Sequence, residues 1–334
     1  MPQLTPMDEH FVHQIPEPLP NVATPHEHWR ESLFFVLHRG DRPGDVIILT
    51  LAHYPARQVM DSLQLGRVGG APVMAHHSRP YDGDPHTMKV GPVGVEVVEP
   101  FRTLRLRVED TPQAAVGLDL TFSARTRPHA LRRGTMKAGQ DVVWDQSHMV
   151  QSGTYDGTFT HQGVVHEVRG WLGQRDHSWG IRDHARCPFW IWLAVQLPEG
   201  MIAVWHWELP NGAHVYTDGC FAPRGDADPV PVVGFRHDLH WTDEAGNETG
   251  YGRDGDSVAG LAGRVELVLD GGRRIAVDAE GRWAQRYGPL GGGMSEMAVT
   301  TSDGSAGTAV YEVTGAHHHR YFPVARGTDL PPGG

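Results

Sequence analysis

Nowhere in this chain do apolar residues recur at i, i+3, i+4 and i+7 over three helical turns, whereas alternation with a period of two returns throughout. A chain patterned in this way lays successive side chains on opposite faces, so it must build sheets rather than helices. In FRTLRLRVE (101–109), Leu104, Leu106 and Val108 share one face and Thr103, Arg105 and Arg107 share the other, as a half-buried strand requires. DVIILTLAHY (45–54), VGVEVVE (93–99) and VGLDLTFSA (116–124) are strand candidates of the same kind. The expected fold class is all-β.

A hairpin is predicted over 188–210, with FWIWLAVQL, a turn at Pro198, Glu199 and Gly200, and then MIAVWHWEL. Its alternation puts Trp205 and Trp207 on one face and Ile202, Val204, His206 and Glu208 on the other. Both faces are largely apolar, which predicts a strand pair lying between two packed layers. RVELVLDGGRRIAVD forms a second hairpin turning at Gly271 and Gly272. Strands spaced by roughly 8 to 12 residues, with turn residues between them and no helical partner, indicate antiparallel barrels or sandwiches. The 334 residues suit two such units in tandem. The expected division is an N-terminal β domain over 1–185, a second over 186–326 and a loose tail over 327–334, with the first six residues also loose.

The formal charge of -11 argues against a surface that tracks nucleic acid phosphates. No stretch reaches the roughly 20 apolar residues of a membrane span, and MPQLTPMDEHFVHQ lacks the basic and apolar regions of a signal peptide. Only Cys187 and Cys220 occur, without CxxC spacing, so a reducing, cytoplasmic setting is expected.

GWLGQRDHSWGIRDH (170–184) concentrates titratable groups against indole rings. A strand there places His177 and Trp179 on one face and Asp176 and Ser178 on the other. Glycines at 170, 173 and 180 let the backbone bend or let a bulky group approach it. The 22 histidines raise the question of a metal. His26-Glu27-His28, His76-His77, His177 with His184, and His317-His318-His319 all lack HExxH spacing, and adjacent histidines on a strand point apart. His206 and Glu208 do share a strand face. No metal is expected, and the remaining possibility, a metal-dependent hydrolase, would need three His or carboxylate side chains converging on one ion. The glycine run at 291–293 has no following Lys-Ser/Thr, and no GxSxG occurs, so neither NAD, ATP nor a serine nucleophile is expected.

DHxWG closing the first half of an all-β chain, with a W-x-E-S element at 29–32, resembles the carotenoid 1,2-hydratase and AttH-like superfamily. MDEHFVHQIPEP, EHWRESLFF, VQSGTYDGTF and RDHSWGIRDH resemble a bacterial branch of that group. The resemblance implies tandem lipocalin-like barrels with an apolar pocket, in a superfamily that includes enzymes hydrating isoprenoid double bonds. It also implies that His177 and Trp179 match residues tied to hydratase activity. The hydratases carry a downstream Y-x-D, for which Tyr216-Thr217-Asp218 is the nearest match.

Hydrating an alkene needs a proton donor, a shielded carbocation and one positioned water. A buried carboxylic acid can supply the proton, and aromatic faces stabilise the cation by roughly 0.5 to 2 kcal/mol each. Asp176 or Asp218 is the expected acid, His177 its partner or the base for water, and Trp179 a wall, with Tyr216 beside Asp218. Trp29, Trp192, Trp205, Trp207 and His206 are the expected substrate contacts. The bland alternatives are core packing for each tryptophan and a structural hydrogen bond between Asp176 and His177. The expected activity is a cofactor-independent hydratase, dehydratase or isomerase for a terpenoid, steroid or polyketide-like molecule. The alternative is a non-catalytic carrier of such a ligand, and a homodimer is compatible with either.

Overall fold

The alternating segments of the first half pair into one antiparallel sheet, seen in a computed structural model that describes residues 4–13, 26–41, 43–82, 87–186, 189–209, 211–251, 257–287 and 291–315. Its strands are β1 (Trp29–His38), β2 (Val46–Tyr54), β3 (Val59–Val68), β4 (Ala71–Pro80), β5 (Lys89–Val90), β6 (Val93–Glu99), β7 (Thr103–Val108), β8 (Gly117–Ala124), β9 (His129–Ala138), β10 (Asp141–His161) and β11 (Val164–Arg182). Their order is β4-β3-β2-β1-β11-β10-β8-β7-β6-β5. The 21-residue β10 serves two neighbours, pairing β9 along its first half and β8 along its second. The Ser62 hydroxyl of β3 donates to the Val90 carbonyl of β5 at 3.4 Å, and Gln64 Nε2 donates to the Val116 carbonyl at 2.8 Å, so the sheet curls almost shut. Inside lie Leu33, Phe35 and Leu37 of β1, Leu104 and Leu106 of β7, and Phe122 of β8.

Gly153 of β10 faces Gly173 of β11, and the Phe122 ring fills the space that a side chain at Gly153 would take. A Cβ at Gly153 would stand 2.1 Å from Phe122 Cε2. Gly153→Ala is therefore expected to destabilise the protein by about 3 kcal/mol, the upper end for overpacking. The readout is a lower urea midpoint at constant slope; an unchanged midpoint would contradict the close approach of the ring.

The second half forms a barrel of its own from β12 (Phe189–Leu197), β13 (Gly200–Glu208), β14 (His214–Pro223), β15 (Val230–His237), β16 (His240–Thr242), β17 (Gly260–Leu269), β18 (Arg274–Arg286), β19 (Gly292–Thr301) and β20 (Ala306–Thr314). The order β15-β14-β13-β12-β20-β19-β18-β17-β16 is closed by direct pairing of β15 with β17. The predicted hairpin is β12 and β13, and every residue of the two strands is buried. Ile191, Leu193, Ile202 and Val204 enter the barrel core, while Trp192, Trp205 and Trp207 are buried on the opposite, outer face.

By their contacts the residues divide into one unit of Met1–Arg39 and Gly44–Arg186 and another of Gly40–Pro43 and Cys187–Gly334. The 327–334 tail and His317-His318-His319 fall outside the described residues. No α-helix occurs among the described residues, and no helix is long and apolar enough to cross a membrane.

The expectation of a loose start needs correcting for the described part of it. Pro6–Glu9 form a 3-10 turn, with Thr5 hydroxyl and amide both donating to Asp8 Oδ2 at 2.9 and 2.5 Å. Glu9 and Phe11 are fully buried, because this segment enters the first barrel and joins its core.

Candidate active site

Alternation along β1 turns Trp29, Glu31, Leu33, Phe35 and Leu37 to one face, four of them apolar and one a carboxylate. Register sets what surrounds that carboxylate. Glu31 lies opposite Trp179 on β11 and opposite His53 on β2, and Leu33 lies opposite His177. One end of the barrel therefore holds Glu31, His53, His177 and Trp179 on its inner face, with Trp29 5.8 Å from the His53 ring. The N-terminal segment adds Asp8, Phe11 and His13.

His13 is held between two carboxylates. Its Nε2 donates to Asp8 Oδ1 at 2.8 Å and its Nδ1 donates to Glu31 Oε1, while its backbone amide donates to Glu31 Oε2 at 3.3 Å. Ionised carboxylates only accept, so both ring nitrogens carry hydrogen and the ring is an imidazolium. Burial alone would lower the His13 pKa, but Glu31 and then Asp8 hold it above the usual value. Burial alone would raise the Glu31 pKa, but the His13 charge and hydrogen bond, helped by His177, bring it down to about 2. The His13 ring also stacks on Trp179, with centroids 3.6 Å apart and planes 13° from parallel.

His177 is wholly buried and fixed from the other side. Its Nδ1 donates to the Asp8 carbonyl at 2.6 Å, and its Nε2 stands 3.0 Å from Glu31 Oε1, out of line for a hydrogen bond. His53, stacked on Tyr81 at 5.4 Å, is pushed by burial down to about 4 and is neutral at physiological pH. The arrangement thus sets the protonated His13 and the Glu31 anion beside the neutral His53 and indole walls. Of the His13–Glu31–His177 trio, only His13 has measurable side-chain exposure, at 12%. It is the proton-bearing group within reach of the barrel end.

Two residues before His177, on the same face of β11, Arg175 anchors the N-terminal segment in the barrel. Its guanidinium donates to both Glu9 oxygens at 2.6 and 2.7 Å and to Gln151 Oε1 at 2.9 and 2.7 Å.

Of the residues expected to act together, the inner face of this barrel carries Trp29, His177 and Trp179. Asp176 does not pair with His177. It faces the other side of β11, where it accepts from His148 Nε2 at 2.9 Å and Gln174 Nε2 at 2.9 Å. The cause is the strand alternation already read from the sequence, which forbids neighbours from sharing a face. Tyr216 and Asp218 belong to the second unit, on β14, opposite Trp207 and Trp205. Tyr216 lies 4.6 Å from the Trp207 ring, and Asp218 Oδ1 accepts from the Gly219 amide at 2.8 Å. Trp192, Trp205 and Trp207 form an aromatic band with them, and His206 alone of this group points into the second barrel. The acid groups missed from sequence are Asp8, His13 and Glu31. Glu31 did leave a signal, a charge on the apolar face of a strand.

Two closed or nearly closed antiparallel barrels in one chain define a protein with the AttH-like tandem lipocalin-like fold. The chain belongs to a family of unknown function, DUF8625, whose pattern matches residues 4–280. An AttH candidate from Nitrosomonas europaea shares the fold with a TM-score of 0.58 at 12% identity, covering 87% of this chain and 94% of that one. Kievitone hydratase from Nectria haematococca does so with a TM-score of 0.51 at 13% identity, covering 85% and 88%. No curated protein matches the chain in a sequence comparison.

Proposed function

We propose that this protein is a hydratase-type enzyme that adds water to, removes water from, or shifts a double bond in a hydrophobic small molecule. The observation that carries the reading is the buried Glu31 carboxylate held between two imidazoles on the inner face of a barrel end. A carrier of apolar ligands has no use for such a group, whose burial costs several kcal/mol unless it is compensated. The structural likeness to kievitone hydratase supports the same class.

In the hydration direction, His13 gives its proton to one alkene carbon and a water oxygen bonds to the other. The water's proton passes to His177 Nε2 and returns through Glu31 to His13, so the site ends as it began. Trp179 and Trp29 offer their faces to the developing cation, each worth roughly 0.5 to 2 kcal/mol. A terpenoid, steroid or polyketide-like skeleton suits the apolar walls.

The test begins with native mass spectrometry of the purified protein to find a compound that travels with it. That compound is then incubated in H2(18)O with wild type and with His177→Ala. Wild type is expected to incorporate one labelled oxygen, and His177→Ala to turn over about 100- to 10,000-fold more slowly, as loss of a general base does. Binding without any turnover in wild type would instead make the protein a carrier, and equal turnover in both would remove His177 from the reaction.

A further inference from the structure

The second barrel has a polar cluster that the proposed reaction does not use. β13 turns His206 and Glu208 inward, in line with the core residues Ile202 and Val204, and β15 brings His237 beside them. His206 Nε2 lies 2.8 Å from Glu208 Oε1, and His237 Nε2 lies 3.6 Å from the same oxygen. One donor atom from each of the three stands within 4.8 Å of the others. The far side of the His206 ring is fixed, its Nδ1 2.6 Å from Thr217 Oγ1, which is in turn 2.8 Å from His214 Nε2. All three residues line a cavity of about 540 Å³ that Phe235 and Leu239 help to wall.

We propose that His206, Glu208 and His237 form a binding site for a single divalent cation of the zinc class, with an open coordination position facing the cavity. Zinc bonds of about 2.0 to 2.2 Å in tetrahedral geometry put donor atoms about 3.3 Å apart. The observed 2.8 and 3.6 Å bracket that separation. A nitrogen and a carboxylate oxygen 2.8 Å apart need a proton or a cation between them, since two lone pairs repel. A hydrogen bond accounts for that contact alone. It does not account for a second imidazole brought to the same oxygen at a distance too long to hydrogen bond, whereas a shared ion accounts for both.

The donor set points the same way. Two imidazoles and one carboxylate suit zinc, cobalt or iron rather than magnesium or calcium, which prefer oxygen donors. Three protein ligands facing a cavity are the pattern of a site that keeps a position for water or an oxygen-bearing small molecule. The Thr217 contact is the outer-shell support that orients a ligating histidine. The site stands apart from the His13, Glu31 and His177 cluster, where the His13 hydrogen bonds to Glu31 and Asp8 already account for the closest contacts.

The test uses the full chain, purified without an affinity tag, stripped with a chelator and titrated with Zn2+ and Co2+ by calorimetry and absorption. One ion per chain should bind, with a dissociation constant at or below micromolar. Glu208→Gln, which keeps the side chain's shape, and His237→Ala should each weaken binding by more than about 100-fold, beyond the 10- to 100-fold of an outer-shell change. Circular dichroism checks that both variants are folded, and imidazole 15N shifts on zinc addition read the ligands in the unaltered protein. Glu31→Gln and serine replacements of His317-His318-His319 should bind zinc as wild type does. No stoichiometric binding, binding within threefold of wild type in both cavity variants, unshifted imidazoles, or loss of binding in either control would overturn the proposal.

Discussion

Arg175→Met is expected to lower the unfolding free energy by about 3 to 5 kcal/mol, the cost of stripping one member from a buried ion pair. Both side chains of the Arg175 and Glu9 pair are essentially hidden, at 1% and 0% exposure. Burial alone would raise the Glu9 pKa, but the Arg175 charge and hydrogen bonds hold it below the ordinary carboxylate range. Without the guanidinium, Glu9 must either stay charged in an apolar barrel or take up a proton, and Gln151 Oε1 loses its donors as well. The Phe101 amide still donates to Glu9 at 2.5 Å, so some compensation remains. Glu9→Gln added to Arg175→Met should recover part of the loss, because it removes the stranded charge. Urea denaturation of the wild type and the two variants measures this, and a loss below 1 kcal/mol in Arg175→Met would show that the pair is solvated. The effect should also reach the candidate active site, since Glu9 adjoins Asp8, and faster amide exchange in residues 5–13 is the readout.

The second large effect is a dependence on pH. With the folded Glu31 pKa at about 2 against an ordinary 4.5, the carboxylate contributes roughly 3 kcal/mol of stability, at 1.36 kcal/mol per unit. A lowered carboxylate pKa stabilises the folded state above about pH 4.5 and ceases to do so as pH falls toward 2. His13 has the opposite sign. Its pKa is raised above 6.5, so its contribution is complete below pH 6.5 and fades as pH rises through the folded value. The stability difference between wild type and Glu31→Gln should therefore peak between about pH 4.5 and 6.5 and shrink on both sides. Denaturant midpoints of the two proteins from pH 3 to 9 give the curve. A difference that stays level over that range would mean that Glu31 and His13 do not share a proton network.

The legible part of this protein was what a short window of residues can encode. Leu104, Leu106 and Val108 alternating against Thr103, Arg105 and Arg107 describe β7, and the same alternation separated Asp176 from His177 before any fold was known. The illegible part began where one strand meets another. Glu31 and His177 face each other only because β1 and β11 pair in one register. A shift of a single residue would have turned Glu31 out of the barrel and brought another set of groups to His177.

The periodicity of side chains therefore determined that the chain is all-β, that it turns at its glycines, and that His177 and Trp179 share a face. Tertiary structure alone decided that residues 5–13 plug a barrel, that Asp8 and His13 complete the cluster around Glu31, and that His237 joins His206 and Glu208. The physical reason is that alternation is set by the backbone of a single strand. The choice of neighbours depends on burying apolar surface and satisfying backbone hydrogen bonds over the whole sheet, and on which segment can neutralise an arginine already committed to its interior.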